Sequence, residues 1–132
     1  MSVSRIMSVA PVTVSMDDPL SKVKELFDRH RFHHLLVAEA GQLVGVVSDR
    51  DLLKALSPHI GKLSETTRDL ASLNKRVHQI TTHKPIVLAP TASVRSAIEI
   101  FKSHPISCIP IVDAENRPLG IVSWRDILKT LI

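Results

Sequence analysis

Gly45-Val46-Val47-Ser48-Asp49-Arg50-Asp51 returns 75 residues later as Gly120-Ile121-Val122-Ser123-Trp124-Arg125-Asp126. Each stretch ends an apolar run with a Ser and then opens a helical pattern. The same offset relates Leu53 to Leu128 and Lys54 to Lys129. Upstream the offset is 74, as in Pro11 and Pro85, Glu25 and Glu99, Phe27 and Phe101, His30 and His104. The offset changes where Glu39-Ala40-Gly41-Gln42 faces the longer Asp113-Ala114-Glu115-Asn116-Arg117. A turn is where a one-residue insertion costs least, so the chain reads as a duplicated unit.

Each copy carries the same elements. Val12-Thr13-Val14 and Ile86-Val87-Leu88 read as short strands. Asp18-Pro19 and Thr91 to Ser93 read as helix starts, with Pro19 suited to a first turn. Leu20, Val23, Leu26 and Phe27 then recur at helical spacing, as do Val94, Ala97, Ile98 and Phe101. Leu35-Leu36-Val37 and Ile109-Pro110-Ile111-Val112 are apolar enough for buried strands. A turn follows, then Leu43 to Val47 and Leu119 to Val122, and each copy closes with a helix, 49–56 or 124–131. The unit is β-α-β-β-α, in an α+β chain. Repeat one is expected over 5–56 and repeat two over 77–132. An ordered linker, 57–76, could place Leu63, Leu70, Leu73 and Val77 on one helical stripe, capped by Ser64 or Thr67 after the breaks at Pro58 and Gly61. One copy alone would leave its apolar faces open, so the two are expected to close over each other with pseudo-two-fold symmetry as a single module, 1–132.

The composition suits a soluble globular chain: 132 residues, 44% hydrophobic and 23% charged, enough to form a core without staples. Cys108 is the only cysteine, so no intramolecular disulfide can form. No apolar run approaches the roughly 20 residues of a membrane span, and Met1 to Val14 lacks the apolar stretch of a signal peptide. A cytoplasmic location is expected. The net charge of +4 is mild; with no Tyr, one Trp and three Phe, stacking on nucleic acid is disfavoured.

Taken singly, Ser-x-x-Asp is a helix capping box, with Ser at the N-cap and the acid at the third helical position. Duplicated in one strand-to-helix context, it reads further. Free N–H groups at a helix start suit an anion. The hydroxyls of Ser48 and Ser123 can add phosphate contacts, and the carboxylates of Asp51 and Asp126 can accept both hydroxyls of a ribose. Arg50 and Arg125 stand beside them. Ribose, phosphate and an apolar slot describe a nucleotide.

The pattern Ile6-Met7-Ser8, Pro19-Leu20, Phe32-x-x-Leu35-x-Val37 and Gly45-x-Val47-Ser48-x-x-Asp51-Leu52-Leu53 resembles a CBS domain, the module named for cystathionine β-synthase. Ile80-Thr81-Thr82 through Ile109-Pro110-Ile111-Val112-Asp113 to Asp126-Ile127-Leu128 resembles a second. The resemblance implies a tandem CBS pair with two clefts for adenosyl ligands: AMP, ADP, ATP, S-adenosylmethionine or dinucleotides. It implies one cleft from Ser8, Val12, Phe32, His33 and His34 with Ile121, Ser123 and Asp126. The second would draw on Thr82, Ile86, Ile106, Ser107 and Cys108 with Val46, Ser48 and Asp51. Asp would hold ribose, Ser phosphate, and apolar residues the base. It also implies a homodimer and a regulated target, in a separate protein or otherwise, with no required cofactor. Leu36 departs from the family's frequent Pro, Val23 from its small residue and Thr81 from its Met; none removes a polar ligand contact.

Other chemistry is poorly supported. Arg29-His30-Arg31-Phe32-His33-His34 holds three His, but with no spaced carboxylate or Cys to complete a metal set. His33 and His34 are also expected on opposite strand faces. Cys108 reads as a buried packing thiol. Ser48 and Ser123 lack a nucleophile elbow, and no phosphate-binding Gly-rich loop occurs. The chain is therefore read as a regulatory binding module and not an enzyme. The alternative is a ligand-free dimerisation and protein-interaction module, whose Ser-x-x-Asp motifs are caps alone.

Overall fold

The computed structural model describes residues 1–9, 12–56, 58, 62 and 66–131. Its strands are β1 (Ser8–Val9), β2 (Thr13–Val14), β3 (His34–Glu39), β4 (Gln42–Ser48), β5 (Thr82–His83), β6 (Cys108–Val112) and β7 (Pro118–Ser123). Its helices are α1 (Leu20–Arg29), α2 (Asp49–Ala55), α3 (Thr67–Ala71), α4 (Val94–Ser103) and α5 (Trp124–Lys129). The result is a mixed α+β chain of two repeats, each with its own sheet and helices.

Two-residue periodicity decides which side chain meets what. In β3, Leu35 and Val37 join Leu20 and Val23 of α1 and Leu52 of α2 in one core. In β6, Ile109 and Ile111 join Ala97 and Phe101 of α4 and Ile127 of α5 in another. The residues between face the other way. Leu36, Leu43, Val46, Cys108 and Val112 form a third cluster, flanked by Val87 and Ile121, that joins the two sheets. Both sheet faces are thus buried, one by the repeat's own helices and one by the other repeat.

The strand order is β2-β3-β4-β5 in one sheet and β1-β7-β6 in the other. Each sheet therefore takes an edge strand from the opposite repeat: β1 lies antiparallel to β7, and β5 to β4. The segments before these strands cross over too. Val3, fully buried, belongs to the second repeat's core, and Val77, 74 residues on, to the first repeat's. The Val3 amide donates to the Ala92 carbonyl at 2.8 Å, and the Val77 amide to the Asp18 carbonyl at 2.9 Å.

Three expectations shift. Ile86-Val87-Leu88 is not a strand; only Leu88 pairs, in a parallel bridge to Ile111. The Leu88 amide donates to the Pro110 carbonyl and the Val112 amide to the Leu88 carbonyl. The next rung would need an N–H from residue 110, which is proline and has none. The first repeat has Leu36 there, and Thr13–Val14 pair regularly with Leu36 and Val37. Second, α1 starts one residue later than expected, with Pro19 at the N-cap and the Asp18 carboxylate accepting from the Ser15 amide at 2.8 Å. Third, Leu70 of the linker is exposed rather than part of an apolar stripe, and Thr67 is the first residue of α3 rather than its cap. Gly61, Leu63 and Ser64 lie outside the described residues.

Candidate functional site

Each β-strand that closes a repeat runs straight into a short helix, and the joint is a capping box. At Ser48 the Asp51 amide donates to the Ser48 hydroxyl at 3.0 Å, while the Ser48 amide donates to the Asp51 carboxylate at 3.1 Å. At Ser123 the Asp126 amide donates to the hydroxyl at 3.4 Å and the Ser123 amide to the Asp126 carboxylate at 2.8 Å. The capping reading of the motif is therefore realised in both copies. Each bond holds one oxygen of the carboxylate, and a carboxylate has about four acceptor sites.

Both joints stand at the rims of clefts. The first cleft encloses about 600 Å³. Ser8, Phe32, His33 and His34 border it from the first repeat, and Ile121, Ser123, Arg125 and Asp126 from the second. The second cleft encloses about 370 Å³ and is bordered by Val46, Ser48, Arg50 and Asp51 from the first repeat. Thr82, Ile86, Ile106, Ser107 and Cys108 complete it from the second. Strand exchange is what mixes the repeats: Ser8 arrives on β1 beside Ile121, and Thr82 on β5 beside Val46. Val12 is the exception. It does not border the cleft among the described residues but packs on the first repeat's core.

Some bordering residues were not anticipated. Arg31, Asp49, Trp124 and Lys129 also border the first cleft, and Lys84, Pro85 and Pro105 the second. Lys129 had a readable signal, since it lies four residues after Arg125 and so on the same helical face. Lys84 had none: it has a φ of 48°, a backbone state that its own residue type does not announce.

The two clefts share a wall made of His34, Ser48, Arg50 and Ser107. The His33 Nδ1–H donates to the Asp49 carboxylate at 2.8 Å, and His34 Nε2 shares a 2.8 Å hydrogen bond with the Ser107 hydroxyl. The two rings do not point away from each other across a strand; both border the first cleft. β3 begins at His34, so His33 lies before the pleat that would have separated them. Burial pulls His34 below the ordinary imidazole range, opposed by the Asp49 carboxylate and reinforced by His33. Among the described residues no three His, Cys, Asp or Glu side chains group to hold a metal ion.

Burial pushes the Cys108 thiol up to about 12. The thiolate is the nucleophile, so roughly one thiol in ten thousand is reactive near pH 8. Ellman's reagent is expected to label the native protein at least a hundredfold more slowly than the denatured chain. A native rate within tenfold of the denatured one would contradict this assignment.

Comparison with known proteins places this architecture. A family model described as CBS domain matches residues 3–58 and again 77–132. The chain is 27% identical to the CBS domain-containing protein DDB_G0289609 of Dictyostelium discoideum, over 98% of this chain and 90% of that protein. It superposes on the CBS domain of a CBS domain-containing membrane protein from Sphaerobacter thermophilus with a TM-score of 0.85 at 28% identity, covering 100% of this chain and 88% of that one. The CBS domain pair of protein MJ0100, solved in complex with 5′-methylthioadenosine and S-adenosyl-L-methionine, superposes with a TM-score of 0.79 at 27% identity, covering 100% of both chains. No helix among the described residues is long and apolar enough to cross a membrane.

Proposed function

The chain belongs to the CBS-domain family as a tandem pair, and on that premise we propose that it is a regulatory module whose two clefts take adenosyl ligands, adenine nucleotides among them. One observation carries the reading: Asp51 and Asp126 are each fixed by a capping box at the rim of a cleft built from both repeats, with Arg50 and Arg125 alongside. In this reading the carboxylates take the ribose hydroxyls, the arginines and serines the phosphates, and Phe32 with Ile121, or Ile86 with Ile106, the base. The complex of the MJ0100 pair with two adenosyl compounds supports the ligand class. A ligand touching both repeats favours whichever spacing of the two sheets fits it, by as much as its affinity differs between spacings. That is the means by which occupancy would reach a regulated protein. Leu53 and Leu128, equivalent positions 72% and 55% exposed on α2 and α5, support a homodimer formed through these outer helices.

Thermal stability in AMP, ADP, ATP, 5′-methylthioadenosine and S-adenosylmethionine tests the reading. A true ligand at 100 times its dissociation constant should add about 2.7 kcal/mol. Asp51→Asn and Asp126→Asn keep a cap acceptor but offer the ribose one carbonyl oxygen instead of a carboxylate. Each is expected to weaken binding at its own cleft at least tenfold while changing ligand-free stability by less than about 1 kcal/mol. The second reading, a ligand-free interaction module, draws on the fact that the capping boxes already account for Ser48, Asp51, Ser123 and Asp126. A complete lack of response to every adenosyl compound would select it.

A further inference from the structure

The two clefts occupy equivalent places, yet their side chains are not equivalent. Arg31, His33 and His34 border the first, where the positions 74 residues on supply Pro105, Ser107 and Cys108 to the second. Lys129 borders the first cleft, while its counterpart Lys54 is not among the described residues bordering the second. The permanent charges follow. Arg31, Arg50, Arg125 and Lys129 face Asp49 and Asp126 in the first cleft, four cations against two carboxylates, and the Asp49 carboxylate also accepts a 2.8 Å hydrogen bond from His33. In the second, Arg50 and Lys84 face Asp51 among Val46, Ile86 and Ile106.

We propose that the first cleft is a polyphosphate site and the second a site for a nucleoside carrying little or no negative charge. The proposal rests on the adenosyl reading above and divides it between the clefts. Several cations converging on one open space favour a ligand whose charge extends along a chain, because each added phosphate meets another partner. Arg50 links the two choices, since it borders both spaces. Once a polyphosphate engages it from the first cleft, Lys84 and Asp51 remain in the second and their charges cancel. A neutral adenosyl compound among prolines and isoleucines then leaves no charge unmatched. The larger volume also falls to the ligand with the longer chain, about 600 against 370 Å³.

Isothermal titration of the full chain with ATP, AMP, 5′-methylthioadenosine and inorganic tripolyphosphate tests this. Arg31 and Lys129 are exposed, so Arg31→Ala and Lys129→Ala should fold; circular dichroism checks it. ATP is expected to bind at least tenfold tighter than AMP at one site, with an advantage that falls as salt rises. Either substitution should weaken ATP and tripolyphosphate about tenfold to a hundredfold and change 5′-methylthioadenosine binding less than threefold. Equal affinity for ATP and AMP, or an ATP advantage that survives both substitutions together, overturns the proposal and leaves the adenosyl reading standing. Binding of tripolyphosphate that depends on Arg31, with no response to any adenosyl compound, overturns the adenosyl reading and the division of nucleotides with it, and leaves only an anion site in the first cleft. Silence from all four probes overturns both.

Discussion

Replacing Leu36 with alanine is expected to lower the free energy of unfolding by about 2–5 kcal/mol, in a single cooperative transition. Leu36 is 1% exposed, yet it belongs to neither repeat's own core. It lies with Leu43, Val46, Cys108 and Val112 between the sheets, so the cavity left by truncation opens across the contact between repeats. Lost transfer free energy and unrelaxed cavity add, and relaxation is limited because Leu35 and Val37 on either side are pinned in the first core. If the repeats were independent domains, the same change would cost little and two transitions would separate. Urea denaturation followed by circular dichroism and by Trp124 fluorescence, which reports the second repeat, decides between these outcomes. A loss below about 1 kcal/mol, or two probes that disagree, would contradict a shared core. Val9, 72% exposed, supplies a control whose truncation should change stability by no more than about 0.5 kcal/mol.

The contrast between Leu36 and its neighbours also explains what could be read from residues alone. The duplication was legible because pairs such as Asp51 and Asp126 keep one offset, and α1 and α4 because Leu20, Val23, Ala97 and Phe101 recur at helical spacing. The capping boxes followed from residue type and spacing. What a linear pattern does not encode is pairing between distant segments. Ser8–Val9 and Thr82–His83 are two residues each, too short to carry a periodicity, and they are strands only because the opposite repeat offers an edge. The burial of Val3 and Val77 in exchanged cores has the same origin. In the clefts, positions that the two motifs share were legible, whereas Asp49 stands where the second copy has Trp124, and Arg31 and Lys84 reach the same space from outside the motifs. The family resemblance placed Val12 in the cleft, and local packing draws it into the first core instead.

Those exchanged strands make Gly120 the position where a single methyl group should do most harm to the first cleft. A Cβ on Gly120 would lie 2.6 Å from the Ser8 carbonyl oxygen and 2.7 Å from Met7 Sδ. The thioether can move, but the carbonyl belongs to β1, whose two residues are held by pairing with Ile121 and Gly120. Gly120→Ala is therefore expected to cost about 1–3 kcal/mol and to push β1 outward, carrying Ser8 with it. Met7→Ala should restore part of this loss and not all of it, because it clears the sulfur and leaves the carbonyl. Gly45 is the mirror case: its Cβ would meet the Thr81 methyl and come within 2.9 Å of the Thr82 carbonyl. Thr81 cannot swing aside freely, since its hydroxyl donates to the Val77 carbonyl at 2.7 Å. Each glycine thus guards the cleft that its partner strand borders, and their effects on ligands should cross. Gly120→Ala should weaken ATP more than 5′-methylthioadenosine, and Gly45→Ala the reverse, when both are titrated under conditions where the variants are folded. Equal weakening of both ligands by both variants would mean that the strands support the module as a whole and not one cleft each.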